Sequence, residues 1–209
     1  MKLQLALDRL TKEACLHVIS ETKEIVDIIE IGTGVIKEYG MAFVREIREK
    51  YPDKTILADM KTCDAGKHEA KQAFDAGADL TTVMAFSSDA TIKDTLDVAK
   101  QVEKQIMIDL LELSSHQRME ELKRLGVELV SLHVGKDQQT KGNHFNTELF
   151  SFVNGYGFKV AVAGGIREDT LPEVVEENPD IIIVGSAISK SPHPQQTAQH
   201  MKKIMQTRG

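Results

Sequence analysis

Two hydrophobic patterns alternate along the chain. Short, nearly unbroken apolar runs rich in branched side chains recur at residues 3–7, 25–31, 55–58, 80–85, 105–110, 129–132, 159–163 and 181–184. Between them apolar residues fall every three or four positions, as at Ile92, Leu96, Ala99 and Val102, or Met119, Leu122 and Leu125. The first pattern predicts strands buried on both faces, the second helices with one buried stripe. Thr11, Asp64 and Ser114 or Ser115 stand where helix N-caps are expected, and Gly77 and Gly126 where helices should stop. Eight strand-then-helix units call for a parallel sheet covered by helices. They close most naturally into a single-domain α/β fold, a (β/α)8 TIM barrel over residues 1–209. An open doubly wound sheet is the alternative, but its glycine-rich dinucleotide fingerprint is missing after the first strand, where Leu7, Asp8 and Arg9 follow. The longest irregular stretch, residues 135–146, follows the sixth run and is a candidate loop over a site.

Composition narrows the function. With 209 residues and 41% hydrophobic content the chain buries a full core as one domain. A formal charge of −6 without a block of Lys and Arg argues against nucleic acid or an anionic membrane as partner and favours a small molecule. No apolar stretch approaches a membrane span, and the start of the chain lacks a secretory signal pattern, so a cytoplasmic protein is expected. Cys15 and Cys63 form neither a disulfide framework nor a zinc spacing.

The candidate chemistry lies at the strand ends, where a barrel carries its active site. Asp8 falls at the end of the first strand, Glu30 the second, Asp59 and Lys61 the third, Asp109 the fifth and His133 the sixth. Asp59, Lys61 and Asp64 place two carboxylates and an ammonium within six positions, expected to converge on one small volume. Glu30 beside Asp59, with no Cys or His set, suits a hard cation, Mg2+ before Zn2+; the plainer alternative is that Glu30 caps its strand or pairs with Lys61. His133 suits acid–base work or a structural hydrogen bond, and Asp109 is placed to orient it, hold water or bind substrate. Gly164 and Gly165 after the seventh strand, and Gly185 and Ser186 after the eighth, lead into helices expected near Arg167 and after Pro192. Their backbone N–H groups form a candidate phosphate site.

Asp59-x-Lys61-x-x-Asp64, with Asp8, Gly164, Gly165 and Gly185, resembles the orotidine 5'-monophosphate decarboxylase superfamily of phosphate-binding barrels from Asp8 to about Ser189. Glu30 and His133 resemble its metal-dependent branch, which holds hexulose-phosphate synthases and keto-gulonate-phosphate decarboxylases. Asp109, Ala163 and Ser186 resemble the synthases, whereas the decarboxylases carry Glu, Thr and Arg there; Lys136 keeps a cation where the decarboxylases tend to have Arg. The resemblance implies a lyase adding formaldehyde to D-ribulose 5-phosphate through an enediolate. It implies Mg2+, or Mn2+, on Glu30 and Asp59, and no organic cofactor. Lys61 and Asp109 would serve catalysis, His133 would be the base, and Asp8, Gly164, Gly165, Gly185 and Ser186 would hold substrate. It further implies a homodimer in which Asp64 reaches the partner's site.

Overall fold

The computed structural model describes residues 1–141 and 145–207. Eight parallel strands close into a barrel in sequence order, with β1 (Lys2–Leu7) hydrogen-bonded to both β2 (Ile28–Ile31) and β8 (Ile181–Val184). The others are β3 (Thr55–Thr62), β4 (Leu80–Met84), β5 (Gln105–Asp109), β6 (Leu129–His133) and β7 (Lys159–Ala163). The near-continuous apolar runs are explained by two cores. Leu3, Leu5 and Leu7 point outward against the helices, in a cluster with Ile19, Phe43, Val44, Ile92 and Met201. Alternate residues point inward, where Ile28, Leu57, Leu80, Met107, Leu129, Ile181 and Ile183 plug the barrel. Beyond the plug the C-terminal strand ends are open.

The helices are α1 (Lys12–Thr22), α2 (Thr33–Lys50), α3 (Gly66–Asp75), α4 (Asp89–Gln101), α5 (His116–Arg124), α6 (Lys136–Thr140), α7 (Leu171–Glu176), α8 (Ser186–Ser189) and α9 (Pro194–Gln206). Thr11 and Ser115 cap α1 and α5 by accepting from Ala14 N and Arg118 N, each at 3.2 Å. Among the described residues no helix is long and apolar enough to cross a membrane.

Several local expectations are corrected. β2 starts at Ile28, because the N–H groups of Ile25 and Val26 turn back to Thr22 O and the Asp27 side chain accepts from Leu3 N. β3 runs on to Thr62, so Asp59 and Lys61 lie inside the strand. Asp64 is not the cap of α3: Ala65, in the left-handed region at φ 51°, precedes that helix. α2 breaks at Gly40, at φ 65° and ψ −171°. Within 135–146, residues 136–140 form α6, and 142–144 lie outside the described residues. After β7 the helix begins at Leu171 rather than near Arg167, and the short α8 comes before the helix expected after Pro192.

Candidate active site

The strand ends open into a chamber of about 380 Å3 lined by Asp8, Glu30, Asp59, Lys61, Asp109 and His133. Gly164, Gly165, Gly185 and Ser186 line the same chamber from the β7 and β8 side. Asp64 does not. It sits with Gly66, His68, Lys71 and Ser88 in a separate outer groove, because two residues of loop beyond β3 carry it off the mouth. The expectation that Asp59, Lys61 and Asp64 converge within one chain is therefore wrong for Asp64.

Lys61 is the hub. Its ammonium lies 2.6 Å from Asp109 Oδ2 and 3.2 Å from Asp59 Oδ1, joining β3 to β5 across the mouth. Simple alternation does not put it there. The register with β4 shifts between Ala58 and Thr62, and Lys61 takes φ 48°, a strained conformation for a lysine that costs about 1 kcal/mol or more. The bulge turns the Lys61 N–H toward Thr82 Oγ1, to which it donates at 2.8 Å. Burial disfavours the ammonium, but Asp59 and Asp109 outweigh it and raise its pKa above the ordinary lysine range. Lys61 stays a cation at any working pH.

Asp109 and His133 form a second pair. The imidazole Nδ1 lies 3.0 Å from Asp109 Oδ2, and the Leu111 N–H donates to Oδ1 at 2.9 Å. Burial opposes ionisation of Asp109, yet His133 and Lys61 hold its pKa down to about 2. A permanently ionised Asp109 fixes the tautomer with hydrogen on Nδ1, which leaves Nε2 as the ring's free acceptor.

Glu30 is the contrast. It accepts a hydrogen bond from Gln4 Nε2 at 2.6 Å, and no cation lies within 4 Å of it among the described residues. The alternative of a pair with Lys61 is not formed. Burial, and then Asp59, push its pKa up to about 8. Asp59 accepts from Thr82 Oγ1 and Thr33 Oγ1, each at 2.7 Å, which fixes both of its oxygens. Two carboxylates, 8% and 6% exposed, with one ammonium on Asp59 and none on Glu30 and no thiolate or imidazole in the set, fit a hard cation that keeps water or takes ligand oxygens. Among the described residues no three His, Cys, Asp or Glu side chains cage an ion by themselves.

Asp8 accepts from Gly34 N at 2.9 Å at the start of α2 and pairs with Arg9 at 3.2 Å. Gly164, at φ 128°, packs so that a Cβ would meet Val134 at 2.7 Å, and Gly165 sits at φ 73°. A Cβ on Gly185 would meet nothing nearer than 3.6 Å, so the fold leaves space there for a ligand to approach the backbone. Beyond the predicted set, the structure adds Arg9, Lys37, Lys136 and Lys190 to the lining. The chamber is acidic at its floor and basic around its rim, a match for a ligand with a polyol end and an anionic end. Of the cysteines, Cys63 is exposed and Cys15 is buried in α1, its thiol pushed up to about 11 by burial; neither lines the chamber.

Known proteins share this barrel. Residues 1–201 match the model of the orotidine 5'-phosphate decarboxylase / HUMPS family. A 3-hexulose-6-phosphate synthase of Bacillus subtilis is 39% identical over 207 residues, covering 98% of this chain and 99% of the relative. The crystal structure of 3-hexulose-6-phosphate synthase from Salmonella typhimurium superposes with a TM-score of 0.96 at 35% identity, over 100% of both chains. That of a ligand-bound KGPDC from Streptococcus mutans superposes with a TM-score of 0.93 at 25% identity, over 99% of this chain and 97% of the other.

Proposed function

The chain belongs to the orotidine 5'-phosphate decarboxylase / HUMPS family, and we propose that it is an aldehyde-lyase joining formaldehyde to D-ribulose 5-phosphate to give D-arabino-hex-3-ulose 6-phosphate, reversibly. The observation that carries this reading is the Lys61 ammonium held between Asp59 and Asp109, with His133 Nδ1 on the same Asp109 oxygen, Oδ2.

A divalent cation on Glu30 and Asp59, Mg2+ or Mn2+, would supply Lewis acidity toward a carbonyl oxygen when bound. The chain's own residues do the rest, and no organic cofactor is needed. His133 Nε2 takes a proton from C1 of the sugar phosphate, and Asp109 stabilises the imidazolium that forms. Lys61, already ordered, faces the negative charge that develops on oxygen and needs no rearrangement to do so. The C1 carbon of the enediolate attacks the formaldehyde carbon, and the imidazolium returns its proton to the new alkoxide. Asp8 holds substrate hydroxyls, while Gly164, Gly165, Gly185 and Ser186 receive the phosphate. Two copies of the chain pair so that Asp64, outside its own chamber, serves the partner's; its outward position supports that role.

A second reading is decarboxylation of 3-keto-L-gulonate 6-phosphate, favoured by a cation, Lys136, on the chamber rim. One experiment separates the two. Purified protein is assayed for formaldehyde consumed with ribulose 5-phosphate and for CO2 released from keto-gulonate phosphate, each with Mg2+ and with a chelator. Faster formaldehyde uptake, lost on chelation and regained with Mg2+, is expected; faster CO2 release would select the decarboxylase, and binding without either would leave a sugar-phosphate sensor.

A further inference from the structure

The chamber floor holds a polar group for which the reaction has no assigned use. Gln4, an inward-facing residue of β1, lines the chamber and is 0% exposed. Its register neighbours, Ile28 on β2 and Ile183 on β8, belong to the apolar plug. Its Nε2 donates to Glu30 Oε2, while its Oε1 is buried with no hydrogen-bond partner, the one such side-chain atom among the described residues. With Glu30 ionised, as a cation ligand must be, turning the amide over would set oxygen against oxygen, so the orphaned acceptor is the consequence of holding the carboxylate. A buried amide with an unmet acceptor disfavours folding, so its presence calls for a reason other than stability.

We propose that Gln4 is a positioning residue for the cation-binding carboxylate: its N–H fixes Glu30 Oε2 and leaves the other oxygen of Glu30 facing the chamber. An amide suits the task where Lys or Arg would not, because it orients the carboxylate without neutralising the charge that a cation requires. The inference rests on the reading of Glu30 and Asp59 as cation ligands.

The test is Mn2+ binding to Gln4→Met and to the unmodified protein, followed by the electron paramagnetic resonance of free Mn2+, beside the Tm of both without metal. The variant should bind Mn2+ about 10- to 100-fold more weakly, and a cooperative metal-free melt shows that it is folded. A lower Tm with unchanged Mn2+ affinity would make Gln4 a structural filler and overturn the proposal. The unmodified protein offers a second measurement that does not depend on the variant folding. The Gln4 side-chain amide resonances should move as Mg2+ is added and stop moving at saturation, and resonances that stay still at saturation count against the role. If the unmodified protein takes up no Mn2+, the cation reading itself falls and this inference with it; equal uptake by both proteins removes only Gln4.

Discussion

The barrel carries a partly buried charge cluster at each end, and the two are balanced differently. At the N-terminal strand ends Asp79, just before β4, accepts from Ile56 N at 2.9 Å and from Lys104 Nζ at 2.6 Å, and pairs with Arg48. Arg48 also donates to Gly77 O, Pro52 O and Lys54 O, tying α2 to the feet of β3 and β4. Burial alone would raise the Asp79 pKa, but Lys104, the Ile56 N–H and Arg48 bring it below the usual range. One carboxylate there meets two cations. At the open end three carboxylates, Glu30, Asp59 and Asp109, meet one ammonium and a histidine, and Glu30 is left without a cation. The lower cluster is closed by groups the fold supplies; the upper one keeps a deficit of positive charge that folding does not fill. A deficit of this kind marks a place for something brought from outside.

The largest effects should separate the clusters cleanly. Lys61→Met should lower kcat by about 10^2- to 10^3-fold or more, because it removes a preorganised charge facing the developing oxyanion. Asp79→Asn should leave kcat and KM within about twofold and instead lower stability by about 1–3 kcal/mol, as two cations lose their shared partner. Steady-state kinetics and urea unfolding of the two variants check both. A folded Asp79→Asn protein without activity, or a Lys61→Met protein with full activity, would break the contrast.

The upper cluster was legible in the sequence for a physical reason. Strands buried on both faces read as continuous apolar runs, so Glu30 between Ile29 and Ile31, or Asp109 after Ile108, stands out as a charge placed where burial penalises it. Period-two alternation also put Asp59 and Lys61 on one side, although the structure reaches that result through a bulge and a positive φ that no pattern reveals. Asp64 was misread because spacing along the chain does not say which way a loop leaves the barrel. Gln4, Thr33 and Thr82 are neutral and drew no attention, yet Gln4 left a signal: a polar residue at an inward position of the run Leu3, Gln4, Leu5. Asp79, Arg48 and Lys104 lie far apart in sequence and meet only when the strands close, so nothing local announced them. The same holds for Lys37 and Lys190 on the rim, whereas Lys136 drew notice only through the family resemblance.

A sharper form of the comparison is the pH dependence of the metal-free protein. Glu30 has a folded pKa of about 8 against an ordinary value of 4.5. Since the folded value is the higher one, the folded state favours the protonated group. The associated stability is fully present below about pH 4.5 and is lost as pH rises through about 8. The loss attributable to Glu30 is on the order of 2–5 kcal/mol by pH 9. Glu30→Gln should remove this dependence and unfold at higher temperature than the unmodified protein at pH 9 without metal. Saturating Mg2+ should stabilise the unmodified protein at that pH and leave Glu30→Gln unchanged. Thermal melts from pH 5 to 9, with and without Mg2+, measure it; a flat profile for the metal-free protein would mean that the deficit at Glu30 is already compensated.

The smallest effect belongs to the rim. Ser186 offers a hydroxyl and no positive charge at the start of α8, but that helix is only one turn long, and Lys190, whose N–H donates to Ser186 O at 3.1 Å, brings an ammonium back to the chamber wall. An exposed lysine opposite a phosphate contributes equally to bound substrate and transition state. Lys190→Ala should therefore raise KM for the sugar phosphate about three- to tenfold and leave kcat unchanged. Because the interaction is open to solvent, the difference should shrink as salt shortens the Debye length from about 10 Å at 0.1 M toward about 3 Å at 1 M. Lys104→Ala is the matched control at the other end of the barrel: it too removes one lysine beside an anion, but one committed to Asp79, so it should lower Tm and leave KM alone. If Lys190→Ala instead lowers kcat, the rim takes part in the chemical step and the division between a binding rim and a reacting floor is wrong.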